Sequence, residues 1–283
     1  HLFLVYHQEF IRMSNNMEVK GKRVIVTGAA FGIGKAMTES FLESGAEVVI
    51  VDINEEALKQ TAGDLKVEYI TADVSSEAAI KNIISTSNSS MGGIDIFCSN
   101  AGVGGQGGLL NTTEEDWLNI WGVNVMSHIY AAKHSLPQML EQGSGYFVNT
   151  ASAAGLLTQI GAAGYSVTKA AAVSFAEWLA ITYGNKGIGV SCLCPQGVRT
   201  SMVEDAPGIV SALVGIDGIM EPADVASDVI NAIESDQFLI APHEKVLDYI
   251  KMKAQDYDRW IEGMQSLQTQ LLDSFPEAED MFK

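Results

Sequence analysis

Cysteine is scarce in this chain. Three residues in 283, Cys98, Cys192 and Cys194, are too few for a disulfide framework. Cys192 and Cys194 stand two apart in an apolar run, so their side chains share one face of a strand. No His-rich tract or second cysteine cluster completes a metal site, and no metal is expected. Reduced, buried thiols in a cytoplasmic protein are the expectation. Basic residues are also few: 17 Lys+Arg stand against 35 Asp+Glu, a formal net charge of −18. Nucleic acid and anionic membrane surfaces both require a basic footprint, so neither is expected as a partner. Such a charge serves chiefly solubility and mutual repulsion. No run of about 18 apolar residues exists, so no helix is expected to span a membrane. Leu2–Tyr6 is too short for a signal-peptide core and lacks a basic flank. Met13 and Met17 are candidate starts, which leaves open whether residues 1–16 belong to the functional protein; residues 1–20 read as an N-terminal extension.

What is present is a globular composition with 47% apolar residues. From residue 23 onward short apolar runs alternate with helical patterns. Val24–Val26, Val48–Val51, Val67–Thr71, Ile94–Ser99, Tyr146–Thr150, Val190–Cys194 and Phe238–Ala241 read as about seven strands. Helices are expected over Gly34–Ser44, from Asn54 to about Ala62, from Ser75 or Ser76, from Thr113 towards Gln142 with a kink at Pro137, over Gly164–Tyr183 and over Asp224–Glu234. Continuous apolar strands between helices imply an α/β fold: a Rossmann-type, doubly wound parallel sheet covered on both faces. One domain over residues 21–242 and a C-terminal helical extension over 243–283 account for the length.

The first strand runs into Thr27-Gly28-Ala29-Ala30-Phe31-Gly32-Ile33-Gly34 and a helix. Glycines let the backbone approach a pyrophosphate, and a helix N-terminus offers free N–H groups and a positive dipole end. Asp52 lies 18 residues past Gly34, at the end of the second strand. A carboxylate there can accept hydrogen bonds from a ribose diol and would repel a 2′-phosphate. No Arg or Lys at Ala29, Ala30, Phe31, Ile53 or Asn54 offsets that repulsion, so the expected cofactor is NAD. A strand-end or helix-capping role for Asp52 stays open.

Tyr165 and Lys169 are four apart on an expected helix and share a face. Ser152 ends the fifth strand, at the sheet edge where ligands bind. Hydride transfer between alcohol and carbonyl needs a proton donor or acceptor at the substrate oxygen. A neighbouring ammonium would lower a tyrosine pKa from about 10. A serine could hold the same oxygen. Spacing alone also fits a solvated helix face.

Over roughly residues 21–242 the chain resembles the short-chain dehydrogenase/reductase family. The resemblance rests on an ordered set: Thr27-Gly28-x-x-x-Gly32-Ile33-Gly34, Asp73-Val74, Asn100-Ala101-Gly102, Asn124, Ser152, Tyr165-x-x-x-Lys169 and Pro195 through Thr200. It implies Tyr165 as acid/base, with Lys169 lowering its pKa and holding the nicotinamide ribose. It implies Ser152 orienting the substrate oxygen, and Asn124 anchoring its helix and a relay water. Gly28, Phe31, Gly32, Ile33, Gly34, Asp52 and Ile53 would serve the cofactor, with Asp73 and Val74 at the adenine. Asn100, Ala101 and Gly102 would line its cleft, and Pro195, Val198 and Thr200 would meet the nicotinamide and phosphate end. Two departures stand out. Ser99 occupies a place where the family often has a second Asn, and Gln196 follows Pro195 where it often has Gly.

Substrate contacts are expected from Ser152, Leu157, Gln196 and Met202. The apolar, glycine-containing stretch Ser201–Met220 reads as a mobile lid. Gly104–Gly108 and Gly155-Leu156-Leu157 would form other walls. The tail carries Val246, Ile250, Tyr257, Trp260, Ile261, Met264, Leu267 and Leu271 at helical spacing, a packing face that could roof the site. The expected activity is NAD(H)-dependent interconversion of an apolar secondary alcohol and its ketone. The alternatives are an NADPH-dependent 3-oxoacyl reductase and a non-catalytic dinucleotide-binding sensor. A homodimer or homotetramer is expected from the family.

Overall fold

Strand residues that are apolar on both sides of the pleat require cover on both sheet faces. The computed structural model, which describes residues 14–105 and 107–282, meets that requirement. Arg23–Thr27 (β1), Glu47–Asp52 (β2), Glu68–Thr71 (β3), Ile96–Ser99 (β4), Gly145–Thr150 (β5), Ile188–Leu193 (β6) and Leu239–Ile240 (β7) form one sheet. Its order is β3-β2-β1-β4-β5-β6-β7 and every neighbouring pair is parallel. Successive side chains go to opposite cores. Val24, Val26, Ile96, Cys98 and Val148 face one cluster, whereas Ile25, Phe97, Phe147 and Cys192 face the other.

Gly32–Glu43 (α1), Glu55–Leu65 (α2) and, later in the chain, Pro222–Ser235 cover the first face through Met37, Phe41, Leu58, Val225 and Val229. Glu77–Met91 (α3), Ser127–Gln142 and Ala163–Tyr183 cover the second through Ile80, Ile83, Ala131, Leu136, Ala172 and Ala176. The expected caps are in place. Asn54 accepts from Ala57 N–H (3.1 Å) and Ser76 from Ala79 N–H (3.3 Å). Thr113 and Asp116 form a reciprocal capping box at Glu114–Trp121 (α4).

The helix expected from Thr113 to Gln142 is not continuous. A π turn at Gly122–Met126 separates α4 from Ser127–Gln142 (α5), and α5 runs on through Pro137. The break falls at the glycine, not the proline. The remaining helices are Ala153–Leu157 (α6), Ala163–Tyr183 (α7), Ser201–Glu204 (α8), Gly208–Val214 (α9), Pro222–Ser235 (α10), Lys245–Gln255 (α11) and Tyr257–Ser274 (α12). The tail is therefore two α-helices and a closing 3-10 helix at Pro276–Phe282, the α-helices divided where the Asp256 carboxylate accepts from Arg259 N–H (3.0 Å) and caps α12.

Most of residues 1–16 lies outside the described residues. The part that is described joins the fold: Asn15 Nδ2 donates to the Gly184 and Ile188 carbonyls (3.0 and 3.3 Å), and Met17 and Val19 are buried.

Candidate active site

In a doubly wound sheet the crevice opens beyond the strand carboxyl ends where the strand order reverses, here between β1 and β4. Thr27, the last residue of β1, organises that point. Its hydroxyl donates to Cys98 O (3.2 Å) and accepts from the N–H groups of Asn100 (2.9 Å) and Ala101 (3.1 Å). The one proton and both lone pairs of the hydroxyl are thereby used. Asn100 Nδ2 donates to the Thr27 and Gly28 carbonyls (3.0 and 3.2 Å), and its Oδ1 accepts from Thr150 Oγ1 (3.2 Å). The Gly-rich turn is thus bonded to the ends of β4 and β5.

Gly32 has φ +52°, and a Cβ there would lie 2.8 Å from Thr200 Cγ2. A Cβ on Gly34 would collide with Gly28 O. Helix α1, which starts here, has no side-chain cap, as is also true of α7 to α11. Gly32, Ile33 and Gly34 line the cavity, so the first N–H groups of α1, left without a side-chain cap, suit an anion there. Asp52 closes the cradle: its carboxylate accepts from Ala30 N–H (3.1 Å) and Asn54 N–H (3.0 Å), leaving lone pairs towards the cavity it lines. A glycine-rich turn, an uncapped helix and a terminal carboxylate fit a dinucleotide.

Across the crevice, α7 brings Tyr165 and Lys169 to Ser152, the N-cap of α6. Lys169 is buried, its Nζ donates to Thr150 O (3.0 Å), and it lies 5.6 Å from the centre of the Tyr165 ring. Burial pulls its pKa down to about 8. Burial pushes the Tyr165 phenol up, and a hydrogen bond with Ser152 opposes that rise. In the protein alone the lowering expected from the Lys169 ammonium is not seen, and the net shift of the phenol is upward. Ser152 Oγ also accepts from Ala154 N–H (3.1 Å). Asn124, fully buried in the π turn, accepts from Val103 N–H (2.9 Å) and donates to Val103 O (3.0 Å) and Thr168 Oγ1 (3.2 Å). It clamps the loop segment that follows Asn100-Ala101-Gly102.

One cavity of about 1250 Å³ joins these groups. Gly28, Phe31, Gly32, Ile33, Gly34, Asp52, Asn100, Ala101, Gly102, Ser152, Tyr165, Lys169, Pro195, Val198 and Thr200 all line it, as do Leu157, Gln196 and Met202. Asn124 sits behind its wall. Ile53, Asp73 and Val74 do not line it: Ile53 is exposed past the end of β2, Asp73 is exposed past the end of β3, and Val74 is buried in the core. Of Gly155-Leu156-Leu157 only Leu157 reaches the cavity; Gly155 packs against the Lys169 backbone. Gln106 lies outside the described residues. Ser99 Oγ is buried with no hydrogen-bond partner.

The lid segment supplies Met202, Val203, Val210, Leu213 and Ile216 from α8, α9 and the following turn. Helices α11 and α12 roof the cavity with Met252, Trp260, Met264 and Leu267; Tyr257 and Ile261 of the tail pattern face solvent instead. Lys253 Nζ fastens α11 to Leu156 O (2.8 Å). The bonding roles of Thr27 and Thr150 were not foreseen, because nothing in their spacing separates them from ordinary strand ends.

Fold and site together define a dinucleotide-binding oxidoreductase, and comparison with known proteins agrees. The family described as short chain dehydrogenase matches residues 22–207. 1-Deoxy-11-beta-hydroxypentalenate dehydrogenase of Streptomyces exfoliatus is 32% identical over 252 residues, 86% of this chain and 90% of that protein. A short chain dehydrogenase/reductase of Burkholderia phymatum, solved in complex with NAD, superposes with a TM-score of 0.79 at 30% identity, over 86% of this chain and 96% of that one. A 3-ketoacyl-(acyl-carrier-protein) reductase of Brucella melitensis complexed with NADH gives 0.74 at 25% identity, over 79% and 97%. This chain belongs to the short-chain dehydrogenase/reductase family.

Proposed function

We propose that the protein oxidises an apolar secondary alcohol, or reduces the matching ketone, with NAD(H). The observation that carries this reading is the convergence of Ser152, Tyr165 and Lys169 on one apolar-walled cavity whose far end is the Gly-rich cradle and Asp52. Gly28 through Gly34, Asp52, Asn100 and Thr200 would hold NAD, which when bound supplies the hydride acceptor or donor. The Tyr165 oxygen takes the proton from the alcohol in oxidation and returns it to the carbonyl oxygen in reduction. The Ser152 hydroxyl holds that same oxygen. The Lys169 ammonium favours the phenolate. Asn124 keeps the Val103 segment, and with it the cavity wall, in place.

Asp52 favours NAD over NADP, because a 2′-phosphate would meet its carboxylate. The names of the Burkholderia and Brucella structures, with NAD and NADH, support that preference. The second name also favours a 3-oxoacyl reductase reading, which the long apolar cavity could accommodate. A panel of secondary alcohols, sugars and 3-oxoacyl thioesters, run with NAD(H) and NADP(H) in parallel, separates the readings. The expected result is turnover of apolar secondary alcohols with NAD. In Tyr165→Phe turnover should fall roughly 10²–10⁴-fold while NAD binding persists. Equal turnover in both proteins rejects the mechanism. Activity confined to polyols and sugars rejects the apolar substrate, and NAD binding without turnover of any substrate selects a sensor. A cytoplasmic homodimer or homotetramer completes the proposal, supported by apolar side chains exposed on the adjacent helices α4 and α7: Leu118, Trp121, Val167, Trp178 and Ile181.

A further inference from the structure

Gln196 departs from the family pattern beside the nicotinamide end of the cavity, and its neighbours give it a purpose. The lid leaves the body at Val198 and returns at Met220, where Arg199 N–H donates to Met220 O (2.9 Å) and Met220 N–H to Gly197 O (3.0 Å). Asp217 stands on the returning limb with its side chain 4% exposed. Its Oδ1 accepts from Lys245 Nζ (2.9 Å) and from Tyr249 OH (3.1 Å), both on α11. Gln196 Oε1 and Asp217 Oδ2 are both buried without a hydrogen-bond partner, and the Gln196 amide lies against the same carboxylate, so turning the amide over lets its NH₂ donate to Oδ2. Only the NH₂ of an amide can donate to a carboxylate, so this contact also sets the way the Gln196 amide faces. Tyr249 lines the cavity and lies 6.3 Å, ring centre to ring centre, from Trp260 in the roof. One buried carboxylate outside the cavity wall therefore ties three separate pieces of that wall: the β6 loop through Gln196, the lid through its own backbone, and the roof through Tyr249.

We propose that Asp217 is a positioning residue that locks the lid and the C-terminal roof to Gln196, so that the bulky-substrate end of the cavity opens and closes as one body. The bond from Lys245, 65% exposed, is screened and adds little. The bonds from Gln196 and Tyr249 are the ones that couple the pieces. The kinetic consequence rests on the dehydrogenase reading; the mechanical one does not.

Hydrogen exchange on the full chain tests the mechanical part. In Asp217→Ala, exchange should quicken about tenfold, the loss of one charge-assisted hydrogen bond, in both 208–220 and 245–264, with 145–193 unchanged. Asp217→Asn, which can still accept from Tyr249 and pair with the Gln196 amide, should restore most of the protection, and Lys245→Met should scarcely alter it. Faster exchange in one segment alone, no change, or an equal effect of Asn and Ala overturns the lock. Kinetics give the second arm: Asp217→Ala should raise KM for a bulky apolar secondary alcohol roughly tenfold. Its kcat, its KM for NAD and its KM for a small secondary alcohol should stay within about twofold. Equal KM increases for bulky and small substrates overturn the proposal. Absence of turnover in wild type fails the dehydrogenase reading while the exchange result still decides the lock.

Discussion

Asp52 does two jobs with one carboxylate. It fixes the Gly-rich turn through Ala30 N–H and the turn into α2 through Asn54 N–H, and it meets the cofactor ribose in the proposed complex. The jobs can be separated. Asp52→Asn keeps an acceptor for the turn but removes the charge that repels a 2′-phosphate, and with Ile53→Arg it supplies a cation for that phosphate. The double variant is expected to lose NAD affinity and gain NADP affinity, each by roughly tenfold or more. Parallel KM measurements for the two cofactors check this; an unchanged ratio would remove Asp52 from the discrimination. This residue was legible in the sequence because its strand-end position and its distance from Gly34 both carry chemistry. Asp217 was not legible. Its meaning depends on Gln196, Lys245 and Tyr249, which only the folded chain brings together.

At the scale of elements, the apolar runs and capping residues revealed the alternation of strands and helices, because Asn54, Ser76 and Thr113 act within one turn of where they stand. The interruption of the α4–α5 stretch was misplaced. A proline removes one N–H, which α5 tolerates at Pro137. Gly122 instead admits a π turn whose extra residue brings Asn124 onto the Val103 backbone, as such turns often do at functional sites. The split between α11 and α12 was also hidden, since Tyr257 and Trp260 prolong the apolar pattern across it. The Asp256 cap was the overlooked sign.

Helix α5 also carries a liability at His128, buried beneath β5. Burial, and secondarily the Lys169 charge, push its pKa down to about 3, and neither ring nitrogen has a hydrogen-bond partner. The unfolded chain therefore binds a proton that the folded chain refuses over the window from about 6.5 down to about 3. Stability falls as pH drops through that window. His128→Gln removes the difference, so its stability relative to wild type should improve by up to about 1.4 kcal/mol per pH unit below about 6. Urea melts of both proteins at pH 7 and pH 5 measure this. A parallel loss in the two proteins would show that His128 is protonated while folded.

For the whole molecule, the exposed apolar side chains of α4 and α7 are the surface most in need of cover. Ile181 is 81% exposed and Trp178 52%. Wild type should run as a dimer or tetramer in light scattering after size exclusion. Ile181→Glu with Leu118→Ser should shift it to the monomer with an unchanged far-ultraviolet spectrum, because these two side chains are 81% and 68% exposed. A monomeric wild type would refute the assembly. Membership of the family sets the sheet, the cradle and the Ser152–Tyr165–Lys169 set, but the roof lies in α11 and α12, beyond the residues 22–207 that match the family.

The uncapped start of α1 has a kinetic consequence when set against a net charge of −18. At distances beyond about 10 Å an approaching anionic dinucleotide meets mainly repulsion, and only within that range do the N–H groups of α1 attract it. Added salt shortens the reach of the repulsion while leaving the short contacts nearly intact. Capture of the cofactor by this protein is therefore faster at moderate ionic strength than in dilute buffer, the reverse of a site that draws its ligand in by long-range charge.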